Sequence, residues 1–239
     1  MQFNYFVVFG LTIFGFAIMY FGGAWIGMRL AIVGEPIVRR PIKPRQMRSE
    51  IKLSLISILI FGLLTVATAY LVNHGLLHVS WTVSWPKLLL EILALFLWNE
   101  IHFYISHRLL HTRWLFKHVH YKHHLSTIPT AYSTFSFHYV EALLLGSVLT
   151  TALLFYSFSV LSLLTLPLMS LILNVLGHCN LDFFPGRSAQ SLLSFTPRHS
   201  DHHVRNNGNY GFFLPYFDQM FATSIKEQKS HKHSRHHQG

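Results

Sequence analysis

The side chains in this 239-residue chain best suited to chemistry are its histidines, 18 in all, because eight of them stand in three short, repeated spacings. His107 and His111 lie four apart. His120, His123 and His124 form an H-x-x-H-H group, and His199, His202 and His203 repeat it. On a helix, positions three or four apart share a face, one turn above the other, so each group aims its imidazoles in a common direction. A neutral imidazole is a nitrogen donor, and many such donors converging on one place suit a transition metal. This many rings suits two ions better than one. A single four-residue pair would carry little weight, since surface histidines are common; the argument rests on the repeated group.

The elements that position these groups are expected to be membrane helices. Apolar residues make up 51% of the chain and charged residues only 12%, against about 25% in soluble domains. The formal net charge of +10 does not point to nucleic acid, because the basic residues sit between apolar runs and are not interleaved with aromatics. They are expected to set topology and to meet anionic lipid headgroups. One cysteine, Cys179, excludes an intrachain disulfide. Beside His178 its thiol is a conceivable ligand, but the stronger reading is a small buried side chain.

Residues 3–20 are long and apolar enough to cross a bilayer core of about 30 Å and read as an uncleaved anchor. A basic stretch, residues 29–52, carries Arg29, Arg39, Arg40, Lys43, Arg45, Arg48 and Lys52, with Pro36, Pro41 and Pro44 expected to break any helix; it reads as a cytosolic loop. A second span, residues 53–72, leads to a loop, 73–86, without lysine or arginine, expected on the opposite side together with His74 and His78. The third span, residues 87–106, starts apolar apart from Glu91 and then admits Asn99, Glu100 and His102 before running into His107. Polar groups in a spanning helix are costly unless they face a protein interior, so this helix is expected to leave the membrane carrying the site. Glu100, two turns before His107, is expected to accept that imidazole's second N–H; the competing reading is a carboxylate at headgroup level. Residues 140–176 would make a straight helix of about 55 Å, too long for one span, so they are expected to form a hairpin turning near 157–159 with a kink at Pro167. The fold class is thus all-α integral membrane, with about four to five transmembrane helices and a cytosolic histidine-rich helical cap. Residues 1–86 hold the N-terminal spans and basic loop, 87–225 the catalytic unit, and 226–239 a disordered histidine-rich tail including His231, His233, His236 and His237.

The order of motifs resembles the fatty acid hydroxylase and sterol desaturase superfamily. The resemblance covers roughly residues 90–225. It rests on Glu100, Tyr104, His107-Arg-x-x-His111, His120-x-x-His123-His124, Pro129, Phe137-His138-x-x-Glu141, His178, His199-x-x-His202-His203, Asn209-Tyr210-Gly211, and Phe217-Asp218 through Phe221-Ala222-Thr223. Phe217 stands where the family often has tryptophan, and Ala222 where it often has glycine.

The resemblance implies a non-haem di-iron centre with His107, His111, His120, His123, His124, His178, His199, His202 and His203 as metal ligands and no catalytic residue beyond them. It implies dioxygen as co-substrate, a lipid substrate, and hydroxylation of a fatty acyl chain or sterol-like molecule. Desaturation by the same centre is the alternative, and a non-catalytic metal-binding or transport membrane protein is a third. Asp182, four residues after His178, is a candidate ligand directly or through water. Asp218 is expected to hydrogen-bond a ligand histidine, with a solvated aspartate as the other reading, and His138 to sit beside the ligands or the substrate. His118 reads as a surface residue, while His102 is ambiguous. With no second cysteine, nucleotide loop or haem motif in the sequence, electrons are expected from cytochrome b5 or a ferredoxin and its reductase. Phe135, Phe137, Phe212 and Phe213 are candidates for lining the substrate's route, although with aromatics at 15% of the chain general packing is the stronger reading of each. The expected home is a bacterial inner membrane, or endoplasmic reticulum in a eukaryote, with the metals on the cytosolic side.

Overall fold

A computed structural model describes residues 2–39 and 41–225, and the tail at 226–239 lies outside the described residues. The first helix, α1 (Tyr5–Val33), is capped by Asn4, whose side chain accepts from Phe6 N at 3.0 Å and Val7 N at 3.2 Å. It runs well past residue 20, because the apolar sequence continues to Val33 with Arg29 as its one charge. The helix is apolar on all sides, with Phe6 91% and Leu11 67% exposed, as a lipid-facing span requires.

The second helix, α2 (Pro44–Asn73), corrects the reading of the basic stretch as one loop. Pro44 occupies the first turn, where a missing N–H costs nothing and its fixed φ favours the helix, so it starts α2 instead of breaking it. The connection therefore shrinks to residues 34–43, and Arg45, Arg48 and Lys52 ride on helical turns. Helix α3 (Trp85–Leu110) likewise has proline in its first turn and ends with His111 as its C-cap. Two short pieces, α4 (Arg113–Leu115) and α5 (Tyr121–His124), flank a single π-helical turn, Phe116–His120. A 3₁₀ turn, Ala131–Phe135, leads into α6 (Tyr139–Gly146) and α7 (Val148–Leu153). The chain then reverses into α8 (Val160–His178), and α9 (Phe195–Arg205) and α10 (Tyr216–Met220) complete the cap.

Among the described residues, four helices, α1, α2, α3 and α8, are long and apolar enough to cross a membrane. The expected hairpin exists, but its first arm, Tyr139–Leu153, is only about 22 Å long and short of a full span. Ser159 caps α8 and also donates, through its N–H at 3.1 Å and its hydroxyl, to the buried Glu91. That carboxylate ties the start of α3 to the start of α8. At the opposite end of the bundle, buried Glu50 on α2 accepts from Gln46 Nε2 (2.8 Å), Ser126 Oγ (2.7 Å) and Thr130 Oγ1 (2.6 Å), fastening the segment after α5 to the membrane helices. The core between α1, α2, α8 and the 3₁₀ turn holds Tyr20, Ile58, Phe61, Phe135, Leu171 and Val175. Gly27 makes this approach possible: a Cβ there would stand 2.7 Å from Ala131 Cβ and 3.0 Å from Val175 Cγ1.

Candidate metal centre

Nine buried or half-buried histidines meet where the ends of α3 and α8 face α5 and α9, and they divide into two groups. His107, His111, His120, His124 and His202 form the first, with one ligand nitrogen from each lying within 4.8 Å of the others; His123, His178, His199 and His203 form the second. All nine residues singled out as ligands are therefore brought together. The groups abut, with the rings of His124 and His203 4.7 Å apart.

Helix geometry explains the division. At about 100° per residue, positions i and i+4 point nearly the same way, whereas i+3 and i+4 diverge by about 100°. His120 and His124 therefore serve the first group while His123, between them, turns to the second. In α9 the roles invert: His199 and His203 serve the second group and His202 the first. Each H-x-x-H-H group thus sends its outer pair to one centre and its middle ring to the other. The π-helical turn ending at His120 is of a kind that recurs at functional sites.

The second nitrogens fix the tautomers. Nδ1 of His107 donates to Tyr210 O (2.8 Å), His178 Nδ1 to Asn174 O (2.8 Å), His202 Nδ1 to Gly208 O (2.7 Å), and His120 Nδ1 to Glu141 Oε1 (2.8 Å). A carbonyl or carboxylate only accepts, so these Nδ1 atoms carry the proton and a neutral ring keeps a lone pair on Nε2. Yet His107 Nε2 lies 3.1 Å from His120 Nε2, His124 Nε2 3.1 Å from His120 Nε2, and His199 Nε2 3.0 Å from His178 Nε2. The lone pairs of His107 and His120 cannot bond each other; a cation between them resolves the contact. Nitrogens bound to one transition metal at about 2.1 Å lie roughly 3.0–3.4 Å apart for bond angles between right-angled and tetrahedral. The donor set fits metal ions.

The electrostatics agree. Burial, then the neighbouring His202, holds the His111 imidazole down at about 3, and burial holds His202 at about 4. His120, His123, His124, His199 and His203 also sit well below the usual imidazole range, first from burial and then from adjacent rings. Near neutral pH they are uncharged donors, the state a metal requires. Nε2 of His111 and His202, and Nδ1 of His124, His199 and His203, are buried without a hydrogen-bond partner.

Four expectations need correction. Glu100 does not touch His107. Seven residues place it about 10 Å away along the axis, and its Oε2 accepts instead from Phe213 N (3.2 Å) and Leu214 N (2.7 Å). Asp218 contacts no imidazole: it is buried and accepts from Tyr210 N (2.8 Å), Gly211 N (2.7 Å) and Thr223 Oγ1 (2.6 Å). Both carboxylates instead hold the loop that presents the Tyr210 carbonyl to His107. Gly211 is required there, since a Cβ would fall 2.8 Å from Asp218 Oδ2. Asp182 belongs to neither histidine group; it accepts from Phe184 N within its own loop. The helix stops at His178 and Asn180 takes φ +55°, so the fourth residue on does not lie one turn above His178. His138 caps α6, accepting from Val140 N at 3.3 Å, and reaches the site only by positioning Glu141 three residues later.

Glu141 is the functional candidate that sequence reasoning passed over. It enters the sequence reading only within the Phe137-His138-x-x-Glu141 motif, with no role of its own, and its signal is that it is the sole charge in the apolar run 140–176: a carboxylate that is 0% exposed needs a partner, which is His120. Outside the site, His118 is exposed and bonded to Trp114 O, His74 and His78 are exposed, and His102 meets Ser147 Oγ at 3.3 Å. Cys179 is buried and its thiol is pushed up to about 11 by burial.

Below the histidines, between the spanning helices, lies a cavity of about 660 Å³. Its upper end is formed by Phe103, whose ring is 5.0 Å from His107, and Phe137, 5.2 Å from His123. Phe135 lines it too, but Phe212 and Phe213 do not: Phe212 packs on His199 and Phe103, and Phe213 on Phe195.

Comparison with known proteins adds an independent line. The family profile described as fatty acid hydroxylase matches residues 92–223. The chain is similar to a very-long-chain aldehyde decarbonylase GL1-1 of Oryza sativa subsp. indica, 30% identical over 131 residues, covering 51% of this chain and 21% of the relative. It is also similar to methylsterol monooxygenase 2-2 of Arabidopsis thaliana, 29% over 149 residues (59% and 54%), and to lathosterol oxidase of Rattus norvegicus, 28% over 149 residues (62% and 48%). The matched region spans between about a fifth and about half of these relatives' length. No solved structure matches the chain.

Proposed function

The chain belongs to the fatty acid hydroxylase family, and from that premise we propose that it is a membrane non-haem di-iron oxygenase that hydroxylates a lipid with dioxygen and externally supplied electrons. The observation that carries this reading is the pair of imidazole cages, lone pairs turned inward, at the end of an apolar cavity between membrane helices. His107, His111, His120, His124 and His202 would hold one iron ion, and His123, His178, His199 and His203 the other. Bound there, the ions supply the dioxygen activation that attack on an unactivated C–H bond demands, which no proton-transfer side chain provides.

The chain's own residues do the positioning. Glu141 and the carbonyls of Tyr210, Asn174 and Gly208 hold the Nδ1 protons of four rings, locking tautomer and orientation. Asp218 and Glu100 fix the loop that carries Tyr210. Phe103 and Phe137 form the apolar wall past which a lipid in the cavity approaches the cages. Arg113, Lys117 and Lys122, exposed around the turns that carry His120 and His124, offer a basic face to an acidic electron carrier such as cytochrome b5 or a ferredoxin, itself served by a reductase. Arg29, Arg45, Arg48 and Lys52 lie at the cage end of α1 and α2, which favours the cytosolic side for the site.

The test is comparative lipid mass spectrometry of cells expressing the wild type or His123→Ala, together with metal analysis of the purified chains. Two iron ions per wild-type chain and a lipid sixteen mass units heavier, absent with the variant, are expected. A lipid two mass units lighter would assign desaturation in its place, and full metal retention by the variant would refute the cage.

A further inference from the structure

The cavity carries information about the lipid that fills it. Its long axis follows α8, where Val160, Leu163, Pro167, Ser170 and Asn174 recur at three- and four-residue intervals and cover about 21 Å. None of the described residues lining it is lysine, arginine, aspartate or glutamate. An ionised carboxylate or phosphate drawn into this space would lose its hydration and find no cation, which is prohibitive in a medium this apolar. Any lipid inside is therefore uncharged over its buried length.

The wall is nevertheless not uniformly apolar. Asn99 on α3 is 8% exposed and borders the cavity, and its carboxamide has no hydrogen-bond partner among the described residues. A membrane helix tolerates such a group only where something polar meets it. On the same face of α3, His102 uses Nε2 on Ser147 Oγ and has no partner at Nδ1; across the cavity, Asn174 donates to Ser170 O at 2.7 Å and leaves Oδ1 free. On α2 the polar side chains of the middle section are occupied: Thr68 bonds Leu64 O and Thr150, and Thr65 bonds Phe61 O, which leaves the Thr12 hydroxyl on α1 as the one open polar group there among the described residues. Apart from Gln2 at the far mouth and Thr12 midway, the unfilled donors and acceptors of the described lining gather at the histidine end, where three side chains face one another. Asn174 stands four residues before His178 and Asn99 eight before His107, on the order of 6–12 Å below the imidazoles.

From this arrangement, and resting on the lipid-oxygenase reading above, we infer that the substrate is a long-chain lipid with an uncharged hydrogen-bonding group, such as a hydroxyl, aldehyde or amide. Asn99 and Asn174 hold that group at the histidine end of the cavity. Asn99 donates to the group's oxygen, Asn174 Oδ1 accepts from a hydroxyl or amide hydrogen, and the apolar remainder of the lipid lies along α8 toward Val160. Of the chain's carbons, those nearest the polar group then lie closest to the imidazoles.

The test uses the full-length, metal-loaded chain in detergent micelles and a matched set of sixteen-carbon probes: hexadecanol, hexadecanamide, hexadecane and palmitate near pH 9. Binding is read from the rise in Tm with ligand concentration. Hexadecanol and hexadecanamide are expected to bind at least tenfold more tightly than palmitate, and roughly two- to tenfold more tightly than hexadecane, the range one hydrogen bond gives. Asn99→Leu should erase the preference over hexadecane while iron content stays at the wild-type level. Palmitate binding as tightly as hexadecanol, or an unchanged alcohol preference in Asn99→Leu, would overturn the inference. The wild-type probe series decides the matter even if the variant does not fold. Selective binding without any oxygenated product would instead count against the oxygenase reading and leave the cavity assignment standing, so the two failures are distinguishable.

Discussion

Replacing Glu141 by alanine removes the one carboxylate among the described residues that bonds directly to a histidine of the cages. Its Oε1 accepts the His120 Nδ1 proton at 2.8 Å, with the histidine 1% and the glutamate 0% exposed, so no water takes its place. Leaving a buried donor unsatisfied costs about 1–3 kcal/mol. Loss of such an outer partner typically lowers metal affinity by about 10- to 100-fold, or roughly 1.4–2.7 kcal/mol, so the two figures agree. The loss should be confined to one ion, because His120 belongs to the first group and no member of the second bonds Glu141. The assay is a chelator titration of the purified chain with metal per chain read by mass spectrometry. One of the two ions should leave at a 10- to 100-fold lower chelator activity in Glu141→Ala. Glu141→Gln, whose amide oxygen still accepts, should stay within about threefold of wild type. If both ions of Glu141→Ala leave as in wild type, or both shift together, the division into two centres and the role of Glu141 are refuted.

The neighbours His202 and His203 face different groups, so His202→Ala should weaken the first ion, leaving four of its five rings, and His203→Ala the second, leaving three of four; identical metal-release profiles would contradict this. The metal-free chain should lose stability as pH falls from about 7 toward 4. The folded pKa of His202, about 4, lies below the unfolded value near 6.5, so the unfolded state binds more protons in that window, at about 1.4 kcal/mol per pH unit for this ring; a Tm that stays flat from pH 7 to 5 would refute it. Gly15 borders the cavity and an added Cβ meets nothing within 4 Å, so Gly15→Leu should fill space without strain. Helix propensity favours that substitution by up to about 1 kcal/mol. Turnover of long-chain lipid should therefore drop more than tenfold with iron content unchanged and Tm not lowered, and unaltered kcat/KM would show that the substrate lies elsewhere.

Much of this molecule was legible before its fold, and for a local reason. Whether His107 and His111, or His199 and His203, share a face depends only on the helical rise and turn of four residues, and whether a segment can cross a bilayer depends only on its length and apolarity. Proline was legible in kind but not in sense: Pro44 excludes a helix around it only if it lies inside one, and here it opens α2. The failures at Glu100, Asp182 and Asp218 share a cause. None of the three readings contains the path of the backbone: Glu100 and Asp182 are placed by their spacing from a histidine and Asp218 by the general habit of carboxylates beside metal ligands, whereas Glu100 and Asp218 accept from backbone N–H groups of a loop whose path is set after α9, Asp218 also from the Thr223 hydroxyl, and Asp182 lies beyond the left-handed turn at Asn180.

The chain order of the histidines thus determined that imidazoles would cluster, and on which helical faces. It did not determine that each H-x-x-H-H group would split its rings between two centres. Nor did it reveal that a lone glutamate in an apolar run would close on His120, or that an unpartnered asparagine would look into a lipid-sized cavity. Those outcomes depend on the angles at which α3, α5, α8 and α9 meet. Such angles come from packing between residues tens of positions apart, which no local spacing encodes.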